Sequence, residues 1–203
     1  MSVIWLVDDD VDVLRALRRL LDAEGFETRA FSDADAFLAA HDATLPGCAV
    51  IDLGLPGLSG LALQQRLAAE GRGCPVIFLT GQGSIPAAVE AMRGGAVDFL
   101  TKPVHAATLL AAIRAALARD AAARAREDAD ALHRARLASL TPREREVMAE
   151  VVAGRLNKQI AGRLGAAEKT IKVHRGRMIK KMGVRSVAEL VTIWNRLRDG
   201  GAL

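Results

Sequence analysis

The 203 residues are 51% hydrophobic, 26% charged and 3% aromatic, which is enough apolar content to close a core and too much for a disordered tail. The longest apolar runs fall far short of the roughly 20 residues that a bilayer-spanning helix needs, and Met1 to Asp10 carries no basic stretch ahead of an apolar one, so a soluble cytoplasmic protein with no membrane partner is expected. The net charge of +4 is unevenly placed: residues 1–120 hold ten Lys and Arg against fifteen Asp and Glu, net −5, and residues 121–203 hold eighteen against nine, net +9, a pairing that fits a metal or phosphate site in front and nucleic acid behind, or else two ordinary solvated surfaces.

Five short runs rich in β-branched residues and leucine read as strands: Val3 to Val7, Glu27 to Phe31, Ala49 to Leu53, Val76 to Thr80 and Val97 to Thr101. Between them apolar residues recur at helical spacing, as in Val11, Leu14, Leu17, Leu20 and Leu21. Ser32 with Asp35 has the form of a capping box, and Gly25, Gly71 and Gly94 or Gly95 stand where helices should stop. Strict β/α alternation over about 120 residues predicts a doubly wound, five-stranded parallel sheet with helices on both faces, and such sheets bind ligands at the carboxyl ends of their strands. The two cysteines, Cys48 and Cys74, have neither a CxxC spacing nor a nearby His, so they are expected to be free thiols beginning two core strands.

From Ala106 to Leu137 the chain is dominated by Ala and Arg. A last helix of the front domain running on as an Ala-rich spacer is expected, since Ala stabilises a helix without demanding a partner. Asp120 and Arg124 fall where a coiled-coil seam would need apolar residues. Beyond Leu140 every pattern is helical. Thr141-Pro142-Arg143-Glu144 combines an N-cap, a first-turn proline and a Glu three residues on, and Gly154, Gly165 and Gly183 divide the rest into helices over about 142–153, 157–164, 168–182 and 186–198. The expected domains are 1–119, a helical linker over 120–138, and an all-α domain of four helices over 139–203.

Placed on such a sheet, Asp8, Asp9 and Asp10 after the first strand, Asp52 near the end of the third, Thr80 ending the fourth and Lys102 ending the fifth lie along one edge. Clustered carboxylates repel one another unless a hard cation neutralises them, and Mg²⁺ with retained waters fits better than a calcium loop, because the Gly and late Glu of an EF-hand are missing. Leu6-Val7-Asp8-Asp9-Asp10, Ile51-Asp52-Leu53-Gly54-Leu55-Pro56-Gly57, Leu79-Thr80-Gly81 and Asp98-Phe99-Leu100-Thr101-Lys102-Pro103, in that order and spacing, resemble the receiver domain of bacterial two-component response regulators. The resemblance implies Asp52 as phosphoacceptor, Asp8, Asp9, Asp52 and the Gly54 carbonyl as Mg²⁺ ligands, Thr80 as the hydroxyl that follows the phosphoryl group, Lys102 as its counter-charge and Phe99 as the switch aromatic. It also implies a cis Lys102-Pro103 peptide. Gly54 and Gln82 occupy positions where side chains in this family influence how readily water reaches the phosphoryl group.

The basic half has its own signature. In the segment 168–182, Ile171, Met178, Ile179 and Met182 form one stripe and Lys169, Lys172, Val173 and Gly176 another, and the second suits the major groove: Lys donates to guanine, Val meets a thymine methyl and Gly permits close approach. Lys158, Thr170, His174, Arg175, Arg177 and Lys180 are better candidates for phosphate contact or register, and Asn157 completes the expected DNA-binding set. Leu140-Thr141-Pro142-Arg143-Glu144, Asn157-Lys158-Gln159-Ile160-Ala161 and Thr170-Ile171-Lys172-Val173-His174-Arg175 resemble the LuxR-type helix-turn-helix, and its pairing with a receiver resembles the NarL/FixJ regulators, the FixJ branch above all. Where that family places Ser or Thr ahead of the recognition helix this chain has Ala167, which cannot cap it, a loss of roughly 1 kcal/mol.

A non-enzymatic, phosphorylation-dependent transcription factor is therefore expected, with a sensor histidine kinase, double-stranded promoter DNA and RNA polymerase as partners and a homodimer formed on phosphorylation at the receiver face near Phe99. Two alternatives are a phosphorylation-independent DNA-binding regulator and a haloacid-dehalogenase-like phosphatase with Asp8 as nucleophile and Asp10 as acid.

Overall fold

Strands and helices alternate through the first part of the chain in the order β1 (Val3–Val7), α1 (Val11–Ala23), β2 (Glu27–Phe31), α2 (Ala34–Ala40), β3 (Gly47–Ile51), α3 (Gly60–Ala69), β4 (Val76–Thr80), α4 (Ile85–Arg93), β5 (Asp98–Thr101) and α5 (Ala106–Ala138). The computed structural model describes residues 2–71, 73–81 and 83–199. All strands are parallel, in the order β2-β1-β3-β4-β5. β1, β3 and β4 are buried along their whole length, which is why they read as unbroken apolar runs, whereas β2 at the sheet edge exposes Glu27 and Arg29. One layer of core, with Trp5, Phe37, Ile51, Leu63 and Phe78, covers one face of the sheet. Leu6, Leu21, Val50, Leu79, Leu109 and Ile113 fill the other. Strand order reverses beside β1, so the crevice beyond the carboxyl ends of β1 and β3 is where a ligand site belongs.

Three local expectations are corrected. The third strand starts at Gly47 and ends at Ile51, not Ala49 to Leu53, because pairing with β1 runs from Val3↔Gly47 to Val7↔Ile51 and the chain then leaves the sheet, with the Asp52 N–H donating to the Val7 carbonyl at 2.8 Å. The fifth strand begins at Asp98 rather than Val97. The cap of α2 is Asp33, whose side chain accepts from the Ala36 N–H, not Ser32; two adjacent capping residues leave the choice to tertiary packing. Lys102-Pro103 is cis. Cys48 and Cys74 are free, and burial pushes both thiols up, Cys74 to about 12, so neither is a nucleophile at neutral pH.

The chain divides into two units, Met1–Arg124 and Ala125–Leu203. In the second, α6 (Pro142–Val152), α7 (Asn157–Leu164), α8 (Glu168–Met182) and α9 (Val187–Asp199) close around Leu140, Val147, Met148, Ile160, Ile171, Met178, Met182 and Leu190. The Thr141–Glu144 capping box is present at the start of α6. Gly165 and Gly183, at φ +60° and +66°, end α7 and α8 in the left-handed region. Among the described residues no helix is long and apolar enough to cross a membrane.

The segment expected as a spacer, 120–138, continues α5 without a break. In the first unit Asp120 is buried, accepts from the Gly47 N–H at 3.0 Å and pairs with Arg124 at 2.9 Å. Arg124 in turn donates to the carbonyls of Ala43, Thr44 and Leu45.

Candidate functional site

Register brings the acidic residues together. Asp8 follows β1 and its N–H donates to the Phe31 carbonyl at 3.1 Å, while Asp52 follows β3 one strand away. At the other side the Lys102 N–H donates to the Thr80 carbonyl at 2.8 Å, which sets the end of β5 against that of β4. These ends frame a cavity of about 580 Å³ lined by Asp8, Asp9, Asp52, Gly54, Thr80 and Lys102, among others. Asp8, Asp52 and Thr80 are buried; Asp9 is exposed at the mouth.

The Lys102 ammonium bridges the two buried carboxylates, at 2.5 Å from Asp8 Oδ2 and 3.0 Å from Asp52 Oδ1. The second oxygen of each is also held: Asp8 Oδ1 accepts from the Asp10 N–H at 3.1 Å and Asp52 Oδ2 from the Gly54 N–H at 2.5 Å. Burial pushes the Asp8 carboxyl up, more than the Lys102 hydrogen bond and the Asp10 amide pull it down. Burial works against the Lys102 charge as well, but hydrogen bonds to Asp8 and Asp52 and their negative charge outweigh it and hold its pKa above the usual lysine value. The site thus has an ammonium that stays charged at neutral pH beside a carboxylate with one oxygen fixed by the backbone. It can cancel negative charge gathering on an incoming group.

Phe99 does not line this cavity. It is half-buried on β5, its ring 6.3 Å from that of Phe78, beneath Gly83, where an added Cβ would lie 3.1 Å from Phe99 Cε1. Gln82 lies outside the described residues. Asp10, the acid in the phosphatase alternative, is spent as the N-cap of α1, with Oδ1 accepting from the Asp12 and Val13 N–H groups at 2.9 and 3.2 Å. Among the described residues no three His, Cys, Asp or Glu side chains form a ready-made metal cage. Mg²⁺ needs no such cage, since it keeps several waters and takes one or two carboxylates. The oxygen-only donor set of Asp8, Asp9, Asp52 and the Gly54 backbone fits it.

In the second unit α8 shows two faces. Ile171, Met178 and Met182 are buried, and Lys169, Lys172, Val173 and Gly176 are exposed together on the opposite stripe, with Lys158, Thr170, Arg177 and Lys180 exposed around them. Arg175 is turned towards α7, donating to Asn157 Oδ1 at 2.9 Å, so those two residues form a bridge between the helices. His174 stands apart from the exposed set: it is half-buried and its Nδ1 is enclosed with no hydrogen-bond partner. Ala167 makes no side-chain cap to α8. Leu156 is exposed at the start of α7 beside Asn157, an apolar residue at a capping position that offers no side-chain acceptor.

A family described as response regulator receiver domain matches residues 4–114, and one described as bacterial regulatory proteins of the luxR family matches residues 138–194. The chain is 44% identical over 200 residues to the response regulator protein TmoT of Ectopseudomonas mendocina, covering 98% of this chain and 90% of that one. It is 43% identical over 191 residues to the transcriptional regulatory protein FixJ of Bradyrhizobium diazoefficiens, covering 94% and 93%. The solved structure of the response regulator StyR is similar at a TM-score of 0.83 with 43% identity, over 96% of this chain and 98% of that one.

Proposed function

The chain belongs to the response regulators that join a receiver domain to a LuxR-type DNA-binding domain and act in transcriptional regulation, and from that premise we propose that it accepts a phosphoryl group on Asp52 from a sensor histidine kinase and thereby governs its binding to promoter DNA. The observation that carries this reading is the Lys102 ammonium bridging the buried carboxylates of Asp8 and Asp52 in the lining of a polar cavity. The functional division proposed is a receiver over 1–119, a helical stretch over 120–138 whose first residues, Asp120 to Arg124, are anchored in the first unit and whose remainder lies in the second, and a DNA-binding domain over 139–203.

Asp52 Oδ1 is the nucleophile. Its bond to phosphorus forms as the phosphorus–nitrogen bond of the kinase phosphohistidine breaks, and the leaving imidazole keeps the electron pair and takes up a proton. Gly54 N–H, on Oδ2, holds the carboxylate while Lys102 moves from Oδ1 onto the transferring oxygens. Phosphoryl transfer asks for little beyond such positioning and charge. Mg²⁺, held by Asp8, Asp9, Asp52 and the Gly54 carbonyl, would supply further neutralisation of those oxygens. The acyl phosphate adds up to about two negative charges, and the Thr80 hydroxyl at the end of β4 swings to meet it. Space freed by Thr80 lets Phe99 turn inward, drawing in the loop that carries Gly83. The receiver then pairs with a second copy, and two recognition helices α8 engage a two-fold promoter site, from which RNA polymerase is regulated.

Incubation with acetyl phosphate and Mg²⁺ should add one phosphoryl group to the wild-type chain and none to Asp52→Ala, read by intact mass at neutral pH. An unmodified wild-type mass, or equal modification of the variant, would overturn the assignment.

A further inference from the structure

The last carbonyls of a helix lack intrahelical donors and must find others. At the end of α8 the Gly183 N–H serves Ile179 and Lys180 at 3.0 and 3.2 Å, and the Met182 carbonyl accepts from Arg136 Nη1, on α5, at 3.1 Å. A guanidinium at this point also opposes the negative end of the helix dipole. Gly183 makes room for it: a Cβ there would lie 2.5 Å from Arg136 Nη1 and 2.7 Å from Cζ. Two further bonds fasten the same junction. Lys181 Nζ donates to the Ser139 carbonyl at 3.1 Å, and Ser139 Oγ donates to the Arg136 carbonyl at 2.6 Å. On the far side Lys181 reaches Glu144 Oε2 at 2.6 Å. Arg136 therefore meets α8 at its C-terminal end, beyond the exposed stripe of Lys169, Lys172, Val173 and Gly176.

We propose that Arg136 is a positioning residue for DNA binding: from α5 it holds the C-terminal turn of α8, fixing the angle at which the exposed stripe of α8 is presented to the groove. The proposal rests on the DNA-binding reading of α8. It makes the last turns of α5 a working part of the DNA-binding unit and not a spacer ahead of it.

The test uses full-length wild type, Arg136→Ala and Arg136→Lys, hydrogen exchange on each, and binding to a mixed-sequence duplex over a range of low salt concentrations. In Arg136→Ala the amides of residues 182–184 should exchange about tenfold faster while the rest of the unit keeps its protection. Duplex affinity should fall several-fold with an unchanged salt slope. Arg136→Lys should restore part of both, since an ammonium reaches one carbonyl but lacks the planar fork. A salt slope lowered by about one would make Arg136 a phosphate contact and overturn the proposal. So would faster exchange throughout residues 125–199, the mark of general destabilisation, or unchanged exchange and affinity. A wild-type chain that binds no duplex while the local exchange effect persists would instead overturn the DNA-binding reading and leave the hold on α8 standing.

Discussion

Lys102 and Lys181 perform the same electrostatic act in different settings. Lys102 sits between two carboxylates that a reaction will disturb, so the attraction that raises its pKa is available to be redirected to a phosphoryl group. Lys181 faces the buried carboxylate of Glu144, which also accepts from the Thr141 N–H at 2.9 Å, and nothing in the proposed cycle breaks that pair. The Lys181 hydrogen bond and the Thr141 amide hold the Glu144 carboxyl down at about 2, against an ordinary 4.5. A depressed carboxyl contributes stability in full above its unfolded value and loses it as acid titrates the folded group. Thermal unfolding of the second unit should therefore lose stability as pH falls from about 4.5 towards 2. In Lys181→Met the melting temperature at pH 7 should drop and that acid limb should become shallower, because only the Thr141 bonds remain. Melting curves over this range, with equal limbs for both proteins, would refute the assignment.

Among the elements, α5 and α8 carry most of the argument. Arg124 on α5 neutralises buried Asp120 and closes three carbonyls of the loop that leads into β3, the strand that ends beside Asp52. Removing a buried ion's partner costs about 3 kcal/mol, so Arg124→Ala should lower the unfolding free energy of the first unit by about that amount, measured by denaturant titration. The exposed lysines of α7 and α8 divide two jobs between them. Lys172→Ala should reduce discrimination between a target and a mutated site by about 1–3 kcal/mol, whereas Lys158→Ala should weaken all sequences alike and lower the salt slope by about one. Affinities measured on paired duplexes across a salt series distinguish these. The bounds of β1, β2, β4, α7 and α8 were legible because apolar period and turn residues agree there. The start of β3 was not, because Gly47 and Cys48 resemble the end of a turn and only pairing with β1 makes them strand. Asp8, Asp52, Thr80 and Lys102 were legible because parallel strands deliver their carboxyl ends to one edge. The ties of Asp120 to Gly47 and of Arg136 to Met182 span 73 and 46 residues, and no local period marks a bond of that reach. Asp120 and Arg124 read from sequence only as a break in an apolar seam. The fold makes them a buried anchor.

At the scale of the whole molecule, an acidic unit with the proposed phosphoryl-acceptor site is joined to a basic unit with the proposed groove-reading helix, and the joining has regulatory value only if charge gained at Asp52 alters occupancy of DNA. In the proposed cycle, pairing of receivers supplies that coupling. Two DNA-binding units tied together search a two-fold site at high effective concentration, so affinity rises without any new DNA contact. The surface proposed for it is the face near Phe99 that includes α4, where Ile85, Val89 and Met92 recur at helical spacing and remain exposed, beside the strand that carries Phe99. An exposed apolar stripe of this kind costs little to cover and favours association when it is covered. Ile85→Glu places a charge in that contact, on a residue that neither lines the Asp52 cavity nor belongs to the DNA-binding unit. It should leave acetyl-phosphate labelling intact and leave the DNA affinity of the unphosphorylated chain unchanged. The phosphorylated variant should stay monomeric in sedimentation and lose the tenfold or greater gain in affinity expected of a linked pair. A wild-type chain whose DNA affinity ignores the phosphodonor would favour the phosphorylation-independent regulator. An Ile85→Glu chain that dimerises and binds as the wild type does would move the pairing surface off α4.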